Sequence, residues 1–317
     1  SEILGALIAV GAALLGFGVW SLLAQLFVSA FIRLAGLYAV SGYVPRFVFS
    51  ARRVLSLCRF SFGMMGSEIA NFVTFQSPMV VISRYLGLSD AGAYSAANRF
   101  SSIPNQVVLS AVMGVLFPAF SAMMHDRERR SQALMLSTQV TTLLLAPMMF
   151  GLWALAEPAM LLLFGPQWAA AWPALGLLAL SKGILTPCST FIPYLKGAGH
   201  GGALFRWAVG RAVVTTAAVA YGAHQGTLVA AMTALCIVNA LVLVGYSRLV
   251  FSADGTPFLS GFWRAVRPML TAALMALAVR YALDHVLADR LPATLQLALG
   301  IALGGIVYGG LVLLTER

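Results

Sequence analysis

Apolar residues run along this chain in stretches of about membrane-crossing length, separated by short polar breaks. A bilayer core of roughly 30 Å takes about 20 helical residues at about 1.5 Å each. On that length scale the pattern predicts ten spans: 3–16, 18–41, 60–84, 92–121, 133–155, 173–195, 206–222, 227–247, 264–284 and 292–314. The first is short, and only Gly16, Phe17 and Gly18 separate it from the second. Pro78, Pro104, Pro147, Pro187 and Pro193 fall inside spans. Proline removes a backbone donor and bends a helix, and membrane helices tolerate it. The predicted fold class is all-α, a polytopic membrane helix bundle.

Composition supports lipid as the solvent. Of 317 residues 60% are hydrophobic and 9% charged, against roughly 45–50% and about 25% in a soluble domain. Mean hydropathy is +0.90. A soluble enzyme, a disordered tail and an ordinary nucleic-acid-binding domain are excluded. A net charge of +10 would suggest nucleic acid in a soluble protein, but here it follows the loops. Arg46, Arg52, Arg53 and Arg59 follow span two; Arg127, Arg129 and Arg130 follow span four; Lys196 and Arg206 follow span six; Arg248, Arg264 and Arg267 follow span eight; Arg317 ends the chain. The alternate loops carry only Arg84, Arg280 and Arg290. By the positive-inside rule the first set is cytoplasmic, and with it the C-terminus. Residues 156–172 lack Lys and Arg and carry Trp168 and Trp172, as an outer interfacial stretch does. No loop is long enough to fold as a catalytic domain. The chain starts at Ser1 with no basic n-region, unlike a signal peptide, and is expected to lack upstream helices.

Motifs for catalysis are weak. Gly197-Ala-Gly199-His-Gly-Gly202 matches G-x-G-x-x-G, but a dinucleotide site needs a preceding strand and an acid roughly 20 residues on; the next acid is Asp254. His125, His200, His224 and His285 have no partner at metal-ligand spacing. Cys58, Cys188 and Cys236 are scattered in apolar sequence and behave as small hydrophobes. We expect no enzyme activity, catalytic residue, metal or cofactor. Gly300, Gly304, Gly305 and Gly309 give two small-xxx-small pairs that allow close approach of another helix, within the chain or from a second protomer.

Charges inside spans carry more information, because each costs roughly 2.5–3.5 kcal/mol at a helix centre. Arg33, Arg99 and Arg211 lie near span ends, where they either snorkel or line a cavity. Lys182 lies about nine residues into its span, roughly 13 Å deep, and points to a polar cavity. Glu68 is expected at similar depth, as an ion-coupling group, a partner for a buried cation or an interfacial residue. Ser67, Asn71 and Thr74 share one helical face, and Asn98 with Arg99, Ser101, Ser102, Asn105 and Gln106 makes the fourth span polar. Cations outnumber acids in this set. A cavity of that sign attracts anions, and a phosphate or diphosphate headgroup is the natural ligand.

Several stretches resemble the Wzx-type polysaccharide-transporter branch of the multidrug/oligosaccharidyl-lipid/polysaccharide flippase superfamily. Ser83-Arg-Tyr-Leu-Gly-Leu-Ser-Asp-Ala-Gly-Ala-Tyr-Ser-Ala-Ala-Asn-Arg99 and Val115-Leu-Phe-Pro-Ala-Phe-Ser121 resemble its "GRxLG…LGxYsxAxR…vlFPafS" pattern. Pro147, Gly151-Leu152, Ala156-Glu157-Pro158, Leu163-Phe-Gly165 and Trp168 resemble "P…GL…aeP…llfG…W", and Gly16-Phe-Gly-Val-Trp20 with Gln25 and Arg33 resembles the start of the sixth family helix. At Pro78 the chain departs from the family, whose members often carry a polar residue there. The resemblance implies two six-helix lobes plus an optional C-terminal pair. Residues 1–43 would be the last helices of an incomplete N-terminal lobe, 44–59 a cytoplasmic inter-lobe loop, 60–251 the C-terminal lobe and 252–317 the extra pair. It also implies flipping of undecaprenyl-diphosphate-linked oligosaccharide across a bacterial inner membrane for exopolysaccharide, O-antigen or capsule synthesis. Partners would be the lipid-linked oligosaccharide, membrane lipids and the polysaccharide polymerase machinery, with no nucleic acid. Arg33, Arg99, Lys182, Arg211, Asn98 and Asn71 are the expected cavity residues, with Glu68 as counter-charge or coupling site. An ion-coupled multidrug exporter of the same superfamily is the alternative; it would need acidic cavity residues.

Overall fold

The computed structural model describes residues 2–18, 20–42, 50–122, 127–287 and 292–315. Arg46, Arg290, Arg317 and His125 lie outside them. The described residues hold helices and no strand: α1 (Glu2–Leu14), α2 (Trp20–Ser41), α3 (Ala51–Tyr85), α4 (Leu88–Ala122), α5 (Arg127–Ala154), α6 (Ala156–Phe164), α7 (Trp172–Ile184), α8 (Cys188–Gly197), α9 (Gly201–His224), α10 (Leu228–Asp254), α11 (Phe258–Ala282) and α12 (Ala293–Thr315). Among the described residues six helices are long and apolar enough to cross a membrane, and α7 with α8, bent by 43°, makes a seventh if the pair is one span. α3 and α4 are each 35 residues long and carry polar stripes, Glu68 to Gln76 and Asp90 to Gln106. α3 starts at Ala51, inside the stretch expected as a loop over 44–59.

The chain divides into two compact units, Ser1–Leu57 and Cys58–Arg317. In the first, α1 and α2 pair as a helical hairpin. Gly16 and Gly18 turn the chain with φ of 83° and 50°, and Ser21 Oγ closes the turn on Gly18 O at 2.7 Å. The weak break in the hydrophobic pattern is therefore a real turn. Gly5 packs directly against Ser29.

The second unit packs its apolar side chains in three clusters. One joins the end of α3 and the start of α4 to α6, α7 and the facing ends of α9 and α10, around Ile82, Tyr94, Met160, Leu175 and Met232. Another joins α5, α8, α9, α10 and α11 around Leu134, Phe191, Tyr246 and Phe251. The third joins α5 to α11, with α12 against it. Glycines set the closest approaches. A Cβ on Gly222 would lie 2.6 Å from Ala230 O and 2.6 Å from Ala231 Cα, so only glycine lets the end of α9 rest on α10. Gly300 meets Leu155 and Gly304 meets Met275, while Gly305 and Gly309 have nothing within 4 Å. One small-residue pair on α12 thus serves packing within the chain.

Alternate helix ends meet at opposite faces of this unit. Asp254 at the end of α10 accepts hydrogen bonds from Ser131 Oγ (2.7 Å) at the start of α5 and from Tyr194 OH (2.7 Å) near the end of α8, and also from Thr256. Tyr85 meets His224 edge-on at 6.3 Å between the other ends of α3 and α9. Arg280 lies 5.7 Å over Trp172 between the end of α11 and the start of α7. The alternation matches the up-and-down course that the loop charges predict.

Candidate functional site

The bend between α7 and α8 makes the site. Pro187 has no N–H to give the carbonyl one turn back, and Thr186 Oγ1 donates to that Gly183 O at 2.7 Å instead. Membrane helices repair a proline break with hydroxyls in this way. Lys182 sits one turn before the break. Its Nζ donates to Ser102 Oγ (2.7 Å), Ser101 Oγ (2.8 Å) and Asn98 O (3.1 Å) on α4. Ser102 Oγ donates in turn to Asn98 O at 2.6 Å. The ammonium is thus clamped to one turn of α4 by three neutral acceptors.

Lys182 lines a cavity of about 70 Å³ between α3, α4, α7, α9 and α10. Asn98, Arg211, Thr74, Ser181, Thr215 and Asn239 supply its other polar side chains, with Phe75, Pro78, Tyr94, Leu178, Leu185 and Leu235 between them. Arg211 lies 6.0 Å over the Phe75 ring, a contact that favours a cation. Asn239 Nδ2 donates to Ser181 Oγ at 2.6 Å. No carboxylate lines this cavity among the described residues. It therefore presents two positive charges, amides and hydroxyls, the groups that bind anionic oxygen and sugar hydroxyls.

Three of the expected site residues, Asn98, Lys182 and Arg211, come together here. Asn71 lies on the same α3 face as Thr74 and Pro78, one turn nearer the helix start, with its Oδ1 buried and without a hydrogen-bond partner. Arg99 is exposed, because one residue along a helix turns the side chain about 100° away from Asn98. Arg33 is exposed on α2 in the first unit. Glu68 pairs with Lys196 at the end of α8, at 2.5 Å, with the Glu68 side chain 60% exposed. Glu68 stands midway along α3 and its partner in the last turn of α8, outside the cavity that holds Lys182. Ser181, Thr215 and Asn239 were not expected. Asn239 had a signal, being the lone amide in the apolar run 228–247.

A larger cavity of about 490 Å³ lies between α4, α5, α6, α11 and α12, lined by Ile103, Pro147, Leu155, Leu163, Gly300, Ile301 and further apolar residues. It offers hydrocarbon and almost no polar chemistry. Among the described residues no cluster of His, Cys, Asp and Glu could hold a metal.

Membrane-length helices packed in this way mark a multi-pass membrane protein. The chain belongs to the polysaccharide biosynthesis protein family, whose model matches residues 1–173. It is 76% identical over 317 residues to the succinoglycan biosynthesis transport protein ExoT of Rhizobium meliloti, covering 100% of this chain and 64% of that protein. It is 23% identical over 269 residues to the teichuronic acid biosynthesis protein TuaB of Bacillus subtilis, covering 83% of this chain and 55% of the relative. Over 147 residues it is 27% identical to the lipopolysaccharide biosynthesis protein WzxC of Escherichia coli, covering 46% and 30%. These relatives bear out the Wzx-type resemblance. The chain thus spans about two thirds of the ExoT relative or less of the others. No solved structure matches it.

Proposed function

We propose that the protein carrying this chain is a flippase that moves undecaprenyl-diphosphate-linked oligosaccharide from the cytoplasmic to the outer leaflet of a bacterial inner membrane. The single observation that carries the reading is the pairing of Lys182 and Arg211 in one intramembrane cavity without a carboxylate. A diphosphate gains charge-assisted hydrogen bonds from such a wall; a cationic drug would be repelled by it, which disfavours the exporter reading. Transport is by alternating access, two lobes rocking about a central site. Residues 60–251 are the complete lobe, 1–43 belong to the other, 44–59 join them and 252–317 add a helix pair. Lys182, Arg211, Arg99 and Arg33 meet phosphate or sugar; Asn98 and Asn71 meet sugar hydroxyls. The C-terminus is cytoplasmic, following the loop charges, and a polysaccharide polymerase takes the flipped unit.

The test is made in cells lacking the gene. Lipid extracts are expected to show lipid-linked oligosaccharide accumulating on the cytoplasmic side, cleared by the native gene and not by a Lys182→Ala copy. Unchanged lipid intermediates together with raised sensitivity to cationic drugs would overturn the reading in favour of the exporter.

A further inference from the structure

The cavity around Lys182 holds more positive charge than its protein neighbours balance. The described acids of this unit are placed elsewhere. Glu68 pairs with Lys196 and Asp284 with Arg280. Asp254 is bound at the far end of α10 by Ser131 and Tyr194. Glu128 and Glu157 are exposed, and Asp90 heads α4. Removing two like charges from water without a counter-charge is strongly unfavourable.

The unmade hydrogen bonds point to the same place. Lys182 directs its three protons at α4. Arg211 Nε is buried without a hydrogen-bond partner, as are Thr215 Oγ1 and Asn239 Oδ1. Thr215 is 1% and Asn239 5% exposed, and all three residues line the cavity. Arg211 and Thr215 stand four residues apart on one face of α9. A guanidinium only donates and a hydroxyl can donate, so the matching ligand is an acceptor with negative charge. Size then narrows the class. The free space there, about 70 Å³, is a small fraction of the about 490 Å³ in the apolar cavity beside α12. That space favours a small anion, and a halide with a companion water is the smallest of that class.

We propose that an inorganic anion of halide size binds in this cavity against Arg211 and beside Lys182, as a resident counter-charge in the conformation described here. Arg211 Nε and the Thr215 hydroxyl hold it, Lys182 adds charge, and the companion water satisfies Asn239 Oδ1. The inference rests on the same cavity as the flippase reading but does not need transport to be right.

The test is equilibrium binding of radiolabelled chloride to the purified protein in nanodiscs of zwitterionic lipid, in a gluconate background. We expect saturable binding that bromide displaces and inorganic phosphate does not. Arg211→Gln abolishes it, Arg211→Lys restores it, and Thr215→Val weakens it about tenfold, the loss of one hydrogen bond to a charged group. Arg280→Gln, outside the cavity, leaves it unchanged. Should Arg211→Gln not fold, Lys182→Met serves, with the chloride-dependent rise in Tm of the native protein expected to vanish. Absence of saturable chloride binding to the native protein overturns the proposal, as does binding that survives in folded Arg211→Gln and Lys182→Met. Equal displacement by phosphate overturns the halide size. Chloride binding with normal export by Lys182→Met would instead overturn the flippase role of the cavity and leave the anion site standing.

Discussion

Replacing Lys182 by methionine separates the charge of this side chain from its volume. Methionine keeps an unbranched stem of similar length and fills irregular space. The ammonium's three hydrogen bonds, of 2.7, 2.8 and 3.1 Å, are each worth about 1.5–3 kcal/mol as bonds to a charged group, or about 5–9 kcal/mol together. Desolvating the ammonium opposes this by several kcal/mol, so the two terms nearly cancel. The serines are not orphaned by the change, since Ser102 and Ser101 already donate to Asn98 O at 2.6 and 3.2 Å. Lys182→Met is therefore expected to unfold within about 1 kcal/mol of the native protein. Lys182→Ala leaves a void in the same place and is expected to lose about 2–5 kcal/mol. If the cavity needs charge, both variants lose polysaccharide export while only alanine loses stability. Thermal unfolding in nanodiscs, followed by tryptophan emission, measures one half; complementation of a deletion strain measures the other. Full export by a well-expressed Lys182→Met would show that the cavity does not need this charge, and a methionine variant as unstable as the alanine one would show that the ammonium's hydrogen bonds outweigh its desolvation.

The remaining predictions concern packing and the other polar contacts. Gly222→Val drives a side chain into the α10 backbone at Ala230 and Ala231 and should destabilise by about 1–3 kcal/mol; Gly210→Ala, with nothing within 4 Å, should stabilise α9 by about 0.5–1 kcal/mol, and equal Tm values for the two would contradict the close approach. Tyr194→Phe removes one of the hydrogen bonds on Asp254 and should cost about 1.5–3 kcal/mol, read as a lower midpoint in thermal unfolding; an unchanged midpoint would show that the cluster joining α5, α8 and α10 contributes nothing. Glu68→Gln breaks an exposed pair, should change stability by less than about 1 kcal/mol and should leave export intact; lost export would restore Glu68 as a coupling group.

Much of this architecture is visible in single residues of the sequence. Gly16 and Gly18 mark a turn with two left-handed glycines, and Pro187 marks the bend that breaks one predicted span into α7 and α8. Lys182 stands out because a cation mid-span has few stable surroundings. What the hydrophobic pattern misses has physical causes. It measures where lipid begins and not where a helix begins, so α3 starts at Ala51 where the pattern expects a loop. α6, of nine residues, is too short for any span window. The partners of Glu68 and Lys182 lie on other helices, more than 80 residues away in sequence for Lys182 with Asn98, and composition carries no information on such pairings. Helical spacing places Arg211 and Thr215 on one face, but only the packing of α9 on α10 reveals that this face meets Asn239 across a cavity.

The most direct test of the central claim is translocation itself. The full-length protein, native or Lys182→Met, is reconstituted into proteoliposomes with a fluorescent lipid-linked oligosaccharide, and the fraction reaching the far leaflet is measured with an impermeant quencher. Transfer is expected from the native protein, and none above protein-free vesicles from the folded Lys182→Met variant. Equal transfer by the two would contradict a functional role for the cationic cavity.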